Sequence, residues 1–204
     1  MNVRVYGKAV HSSFALTNHG CNAIDYAAKI IVKIREFGEE FRKSGTHDKD
    51  YVVPHTTMST NLIKGGNAVN TVPAECEFSF EFRNLPQDDA ATIEKRVRSY
   101  VDDELLPAMK AECPGARIEF TVVGPVPPFA GNEEAAITKL VRKLTNDHAV
   151  HKAAGCTESG YFTGIAGVPT VVCGPLGDAI HCANEYVTRR VAPCHEGRVP
   201  RCPH

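Results

Sequence analysis

Tryptophan is absent from the 204 residues, methionine occurs only 3 times, and no apolar stretch approaches the roughly 18 residues that a membrane-spanning helix needs. A helical membrane protein is therefore not expected. Charge of one sign is equally scarce: 23 Lys and Arg face 24 Asp and Glu, a formal net charge of -1. No global positive field exists to hold a nucleic acid or an acidic membrane, so neither is an expected partner. The opening MNVRVYGKAV carries no apolar core of the secretory kind, and a cytoplasmic address is expected. The 8 cysteines include no Cys-x-x-Cys pair. Zinc-finger spacing, with two close ligand pairs converging on one ion, is thus missing, and the thiols read as reduced and structural. The nearest approach to metal-ligand spacing is the irregular tail set Cys194, His195, Cys202 and His204.

What is present is an ordinary globular composition, 43% hydrophobic and 23% charged, at a length that buries a core. Val3 and Val5 alternate with polar neighbours until Gly7, which predicts a short strand and a turn, then a loop carrying His11, Ser12 and Ser13. From Asn22, the residues Ala23, Ile24, Ala27, Ala28, Ile31, Ile34 and Phe37 recur at helical intervals, predicting a helix to about Ser44. Met58, Thr60 and Leu62 read as a strand ending at Gly65 and Gly66. Glu75 to Arg83 alternates strictly, with Cys76, Phe78, Phe80 and Phe82 on one face, as a half-buried strand requires. Asp88 or Asp89 is placed to cap a helix with the apolar face Ile93, Val97, Tyr100, Val101, Leu105 and Leu106. Ile118, Phe120 and Val122 predict one more strand.

Strand, helix, strand, strand, helix, strand is the order of the split βαβ arrangement, an antiparallel sheet with both helices on one face. The chain is expected to be α/β: a ferredoxin-like βαββαβ domain over 1–123, an incomplete α/β segment over 124–187 and an irregular tail over 188–204. The boundary is set by Gly124-Pro125-Val126-Pro127-Pro128. Beyond it a helix is expected from about Asn132 to Asn146, carrying Glu133 and Glu134. The unbroken apolar run Pro169 to Cys173 predicts a strand covered on both faces.

Four local patterns carry candidate chemistry: Gly7-Lys8-Ala9-Val10-His11-Ser12-Ser13, Gly65-Gly66-Asn67 through Asn70 to Glu75, Phe80-Glu81-Phe82-Arg83, and Val168 to Val187 with His181 and Glu185. Alone, each has an ordinary reading. His11 before two serines suits a hydrogen-bonded turn, Asn70 can bond its own backbone, Arg83 can close a surface ion pair, and His181 can be a structural imidazole. In this order, however, the four resemble the M20 family of metal-dependent amidohydrolases, in particular its acetylornithine deacetylase and succinyl-diaminopimelate desuccinylase branches.

The resemblance implies that residues 1–123 are the lid of a zinc-binding hydrolase, inserted in the catalytic domain and forming a homodimer. It implies that His11 stabilises an oxyanion in the active site of the partner subunit, that Asn70 and Arg83 hold the substrate's carboxylate or amide, and that His181 is a metal ligand with Glu185 orienting it. Glu158, in Cys156-Thr157-Glu158, corresponds to the loop that meets the substrate amine. The implied reaction is hydrolysis of the acetyl amide of N-acetyl-L-ornithine, within arginine biosynthesis, by water activated on two zinc or cobalt ions. Other N-acyl amino acid substrates of a desuccinylase, aminoacylase or carboxypeptidase are alternatives, as is a noncatalytic binding or dimerisation module. The family also places a His-x-Asp motif, a bridging Asp and a Glu-Glu pair ahead of the lid. Here Glu39-Glu40 and Glu133-Glu134 both follow the lid's first strand and read as solvated helix pairs. His181 alone does not hold two ions, so little activity is expected of this chain by itself.

Overall fold

The computed structural model of the protein describes residues 1–150, 152, 157–174, 177–178 and 183–187. His181, Cys156 and the 188–204 tail with its Cys194, His195, Cys202 and His204 lie outside the described residues. The chain divides into two units, Met1–Pro125 with Lys152, and a second that starts at Val126.

In the first unit β1 (Asn2–Tyr6) leads through β2 (Val10–His11) to α1 (Ala23–Ser44), then β3 (Thr57–Gly65), β4 (Thr71–Val72), β5 (Glu75–Arg83), α2 (Ala90–Tyr100), α3 (Leu106–Glu112) and β6 (Arg117–Thr121). The main sheet runs in the order β3-β5-β1-β6, and every pairing is antiparallel. That is the split βαβ topology. One bulge falls between Thr60 and Leu62 in β3.

The core forms because one face of each element is apolar. Cys76, Phe78 and Phe80 of β5 point the same way as Val3 and Val5 of β1. Against them pack Ala23, Tyr26, Ala27, Ile30 and Ile34 of α1, Val97 of α2 and Met109 of α3, in one buried cluster. Both helical segments therefore cover the same sheet face. The buried stripe of α1 differs from the sequence expectation: Tyr26 and Ile30 are inside and Ala28 is exposed. A helical face about 100° wide takes residues 23, 26, 27, 30 and 34, leaving Ile24 and Ile31 at its half-buried margin.

Local chemistry sets the ends. Asn22 caps α1, its Oδ1 accepting from the N–H of Ile24 at 3.0 Å, which satisfies an orphan donor of the first turn. Asp89 caps α2 by accepting from Thr92 N–H at 2.9 Å. Asp88 has a different task, accepting from the hydroxyl of fully buried Thr56. A single π turn, Val101–Leu105, joins α2 to α3 and keeps Val101 and Leu105 in the core. β6 ends at Thr121, so Val122, expected within it, is outside the ladder and exposed.

The second unit contains α4 (Ala136–Thr145), α5 (Ser159–Gly164) and a ladder of β7 (Gly177–Asp178) with β8 (Tyr186–Val187). α4 stops at Asn146, which adopts the left-handed backbone at φ 53°. The second unit departs from the sequence expectation at two places. α4 starts at Ala136, so Glu133 and Glu134 precede it and pair with Arg142 and Lys139. Pro169–Cys173 is not a strand, and Val172 is exposed. A strand buried on both faces needs neighbours to pair with, and no described residue supplies one. Among the described residues, no helix is long and apolar enough to cross a membrane.

Candidate functional site

The site begins where β1 ends. Gly7 donates to Ala74 O at 2.7 Å, and a Cβ at Gly7 would lie 2.0 Å from the carbonyl oxygen of Cys21. Only glycine allows that approach. The chain then turns off the main sheet, and Val10–His11 pairs antiparallel with Thr71–Val72, with His11 opposite Thr71. The backbone N–H of Ser12 donates to the carbonyl of Asn70 at 2.9 Å. This small ladder brings His11 and Asn70, distant in sequence, to one exposed corner.

His11 heads a short 3₁₀ turn, Ser12–Phe14. Its Nδ1 lies 2.8 Å from Ser13 Oγ and accepts the N–H of Ser13 at 3.3 Å. Nε2 has no hydrogen-bond partner among the described residues, and neither has the side-chain amide of Asn70. The surrounding loop exposes apolar groups: Leu16 is 90% and Phe14 50% accessible, and Val69, next to Asn70, is fully so. Leu16 and Asn18 both hold left-handed backbone, φ 62° and 61°, a conformation rare for leucine. The loop's unusual backbone is thus concentrated just after His11.

Arg83 closes the far end of β5, opposite Thr57 of β3. Its guanidinium rests on Glu81, Nε to Oε1 at 3.2 Å, an exposed pair of the kind that contributes little stability. β5 has nine residues, so its ends stand roughly 26 Å apart at about 3.3 Å per residue. His11 and Asn70 lie beyond the Glu75 end, and Arg83 lies at the other. Within one protomer they do not meet.

Glu158 belongs to the second unit. It precedes α5, where its carbonyl accepts from Tyr161 at 3.0 Å and Phe162 at 3.1 Å, and its side chain is exposed. Gly160, in α5, passes so close to Pro127 that a Cβ there would lie 1.9 Å from the Pro127 carbonyl oxygen. His181 lies outside the described residues, and Glu185 is exposed. Among the described residues, no three of His, Cys, Asp or Glu gather where they could hold a metal ion. Sequence reasoning gave Ser13 no role. The signal for it was the His-x-Ser spacing, which lets the hydroxyl and amide of the third residue return to the ring of the first.

The fold defines a split βαβ domain, a four-stranded antiparallel sheet with its helices on one face. The model of the peptidase dimerisation domain of the M20 family matches residues 1–109, and the chain belongs to that family. Among curated relatives, the acetylornithine deacetylase of Buchnera aphidicola subsp. Schizaphis graminum is 28% identical over 189 residues, covering 91% of this chain and 46% of the relative. That of Salmonella typhi is 29% identical over 198 residues, covering 95% and 48%. The chain spans about half the length of the curated relatives it matches. Among solved structures, a tripeptidase from Staphylococcus aureus subsp. aureus Mu50 aligns with a TM-score of 0.61 at 24% identity, over 90% of this chain and 44% of that one. The aminopeptidase PepT of Bacillus cereus ATCC 10987 aligns at 0.59 and 21%, over 91% and 45%. These two likenesses show the fold.

Proposed function

We propose that the chain is the dimerisation lid and part of the catalytic domain of an acetylornithine deacetylase-type hydrolase, which releases acetate and ornithine from N-acetyl-L-ornithine. The observation that carries the reading is the ladder of Val10–His11 with Thr71–Val72. It offers an imidazole with a free Nε2 beside Asn70, in a domain of the M20 dimerisation family. A fixed N–H at that point suits the charge that develops on an amide oxygen in the transition state. The relatives named acetylornithine deacetylase favour this substrate over the other N-acyl amino acids.

A homodimer follows from the same reading. β3 is an edge strand of nine residues with Leu62 and Ile63 exposed, and an unpaired edge is a template for a second strand. A two-fold pairing uses the same patch on both copies. The dimer also answers the separation of the candidate residues. His11 and Asn70 of one protomer reach the substrate that Arg83 of the other grips through its planar fork. Glu158 is assigned to the substrate amine and His181 to the metal.

Enzymes of the family are metal-dependent. The described residues do not form a ligand set for zinc or cobalt. Incubated alone with zinc or cobalt and N-acetylornithine, it is expected to show no turnover above background; robust hydrolysis overturns this. Fused behind the N-terminal catalytic half of the Salmonella typhi relative, it is expected to hydrolyse N-acetylornithine. There His11→Ala should lower kcat by about 10²-fold or more with KM little changed, as for loss of an oxyanion donor. An unchanged kcat removes His11 from the mechanism. The open edge of β3 equally favours a second reading, a dimerisation module without catalysis. A stable dimer that is inactive even in the fusion would select it.

A further inference from the structure

We infer that Ser13 is a positioning residue, holding the neutral imidazole of His11 in the tautomer that carries its proton on Nε2. A backbone N–H only donates, and that of Ser13 points at Nδ1 of His11 at 3.3 Å. The hydroxyl of Ser13, 2.8 Å from the same nitrogen, can turn to donate or accept. With the proton on Nδ1, the ring N–H would face the Ser13 N–H, and one donor would lose its acceptor. With the proton on Nε2, both Ser13 donors share the Nδ1 lone pair. Only that tautomer satisfies all three groups.

The backbone leaves the ring little choice of place. His11 is paired with Thr71 and Ser12 is tied to the Asn70 carbonyl at 2.9 Å, so Ser13 is delivered to Nδ1 by main-chain bonds. The consequence is an N–H directed outward from Nε2, where no group among the described residues receives it. The same loop holds a contrast. His19 presents its Nδ1 to the carbonyl oxygen of Thr17 at 3.0 Å. A carbonyl only accepts, so His19 takes the opposite tautomer, with its proton on Nδ1. Two histidines eight positions apart are thus fixed in opposite senses by their neighbours.

This inference rests on the reading of His11 as a donor to a substrate oxygen, and gives that donor its orientation. The test is ¹⁵N NMR on the full chain labelled at histidine, at about pH 9 where imidazoles are neutral. The His11 resonances are identified by their loss in His11→Gln. Nδ1 of His11 should resonate as a bare, pyridine-like nitrogen and Nε2 as a protonated, pyrrole-like one, with His19 reversed. Ser13→Ala should lower the His11 tautomer ratio about fivefold, the factor one ordinary hydrogen bond contributes, and Ser13→Thr should restore it. Ser13 is exposed, and amide spectra of the variants report that the fold is kept. A pyrrole-like Nδ1 in the unaltered chain, or a ratio unmoved by Ser13→Ala, overturns the inference. If the tautomer is as stated but His11→Ala leaves kcat of the fusion unchanged, the oxyanion reading fails and the role of Ser13 in setting the tautomer stands.

Discussion

The two units differ in how they treat their apolar residues. In the first, Val3, Val5, Ile30, Ile34, Phe78, Val97 and Met109 are all at or near zero exposure. In the second, Leu140, Leu144, Phe162, Ile165, Val168 and Val172 are each half exposed or more, and the buried residues include Thr138, Ser159 and Gly160. A helix with an apolar face gains its stability from a surface that covers it. The first unit supplies such a surface from its own sheet. Among the described residues of the second, none does so for Leu140 and Leu144. This supports reading the second unit as part of a larger catalytic domain, and it makes the two halves separable by mutation.

The largest expected effect is in the first unit. Phe78 is 1% exposed, lies opposite Val3 and Ile63 and has its ring 6.4 Å from that of Phe80. Phe78→Ala removes that contact area and leaves a cavity, so it should cost about 3–5 kcal/mol, measured as the shift in urea midpoint. A loss below about 1 kcal/mol would mean that the sheet is not the stable half of the molecule, and the contrast between units would fail.

An intermediate effect comes from pH. Burial, with Glu112 nearby, pushes the Cys21 thiol up to about 12. Burial and a 2.7 Å hydrogen bond to Glu112 raise the Tyr26 hydroxyl as well, and burial raises the Cys76 thiol. In each case the folded state holds its proton longer than the unfolded chain does. The folded state thus binds more protons above the unfolded value, and stability falls with rising pH. For Cys21 the contribution is complete below 9.0 and is lost between there and about 12. Unfolding of the first unit should therefore ease as the pH rises above 9.0 toward about 12, and Cys21→Ala should flatten that slope. A profile unaltered by Cys21→Ala would show that this thiol is not held protonated by the fold.

The first unit was also the more legible in sequence, for the same reason. β5 has the bounds its alternation predicts, because burial on one face makes apolar spacing of two the signal itself. The helical spacing of apolar residues from Ala23 to Phe37 marked α1, because a covered helix face recurs every three or four residues. The face of α1 was harder to read: small Ala28 passes for a core residue, and Tyr26 buries its ring while its hydroxyl finds Glu112. Pro169–Cys173 was misread because an apolar run looks the same whether or not anything covers it. For the candidate site, motif order singled out His11, Asn70 and Arg83 as residues. That His11 and Asn70 share a corner is the work of a ladder with two residues on each strand, too short to leave a pattern. The separation of Arg83 from them follows only once β5 is seen to run the length of the sheet.

The smallest expected effect is the one that sharpens the contrast most. Leu144, in the last turn of α4, is 75% exposed, and alanine is as good a helix former as leucine or better. In this chain Leu144→Ala should therefore change stability by no more than about 0.5 kcal/mol, the range of surface substitutions. In the fusion that restores a catalytic half, the same substitution should cost about 2 kcal/mol or more if that half covers α4. The difference between the two measurements reads out whether α4 acquires a covering surface. Equal small values in both would leave α4 a solvent-facing helix and remove the support that the second unit lends to a larger catalytic domain. A large loss in this chain alone would show instead that Leu144 already packs against something here, and the two halves would no longer differ in kind.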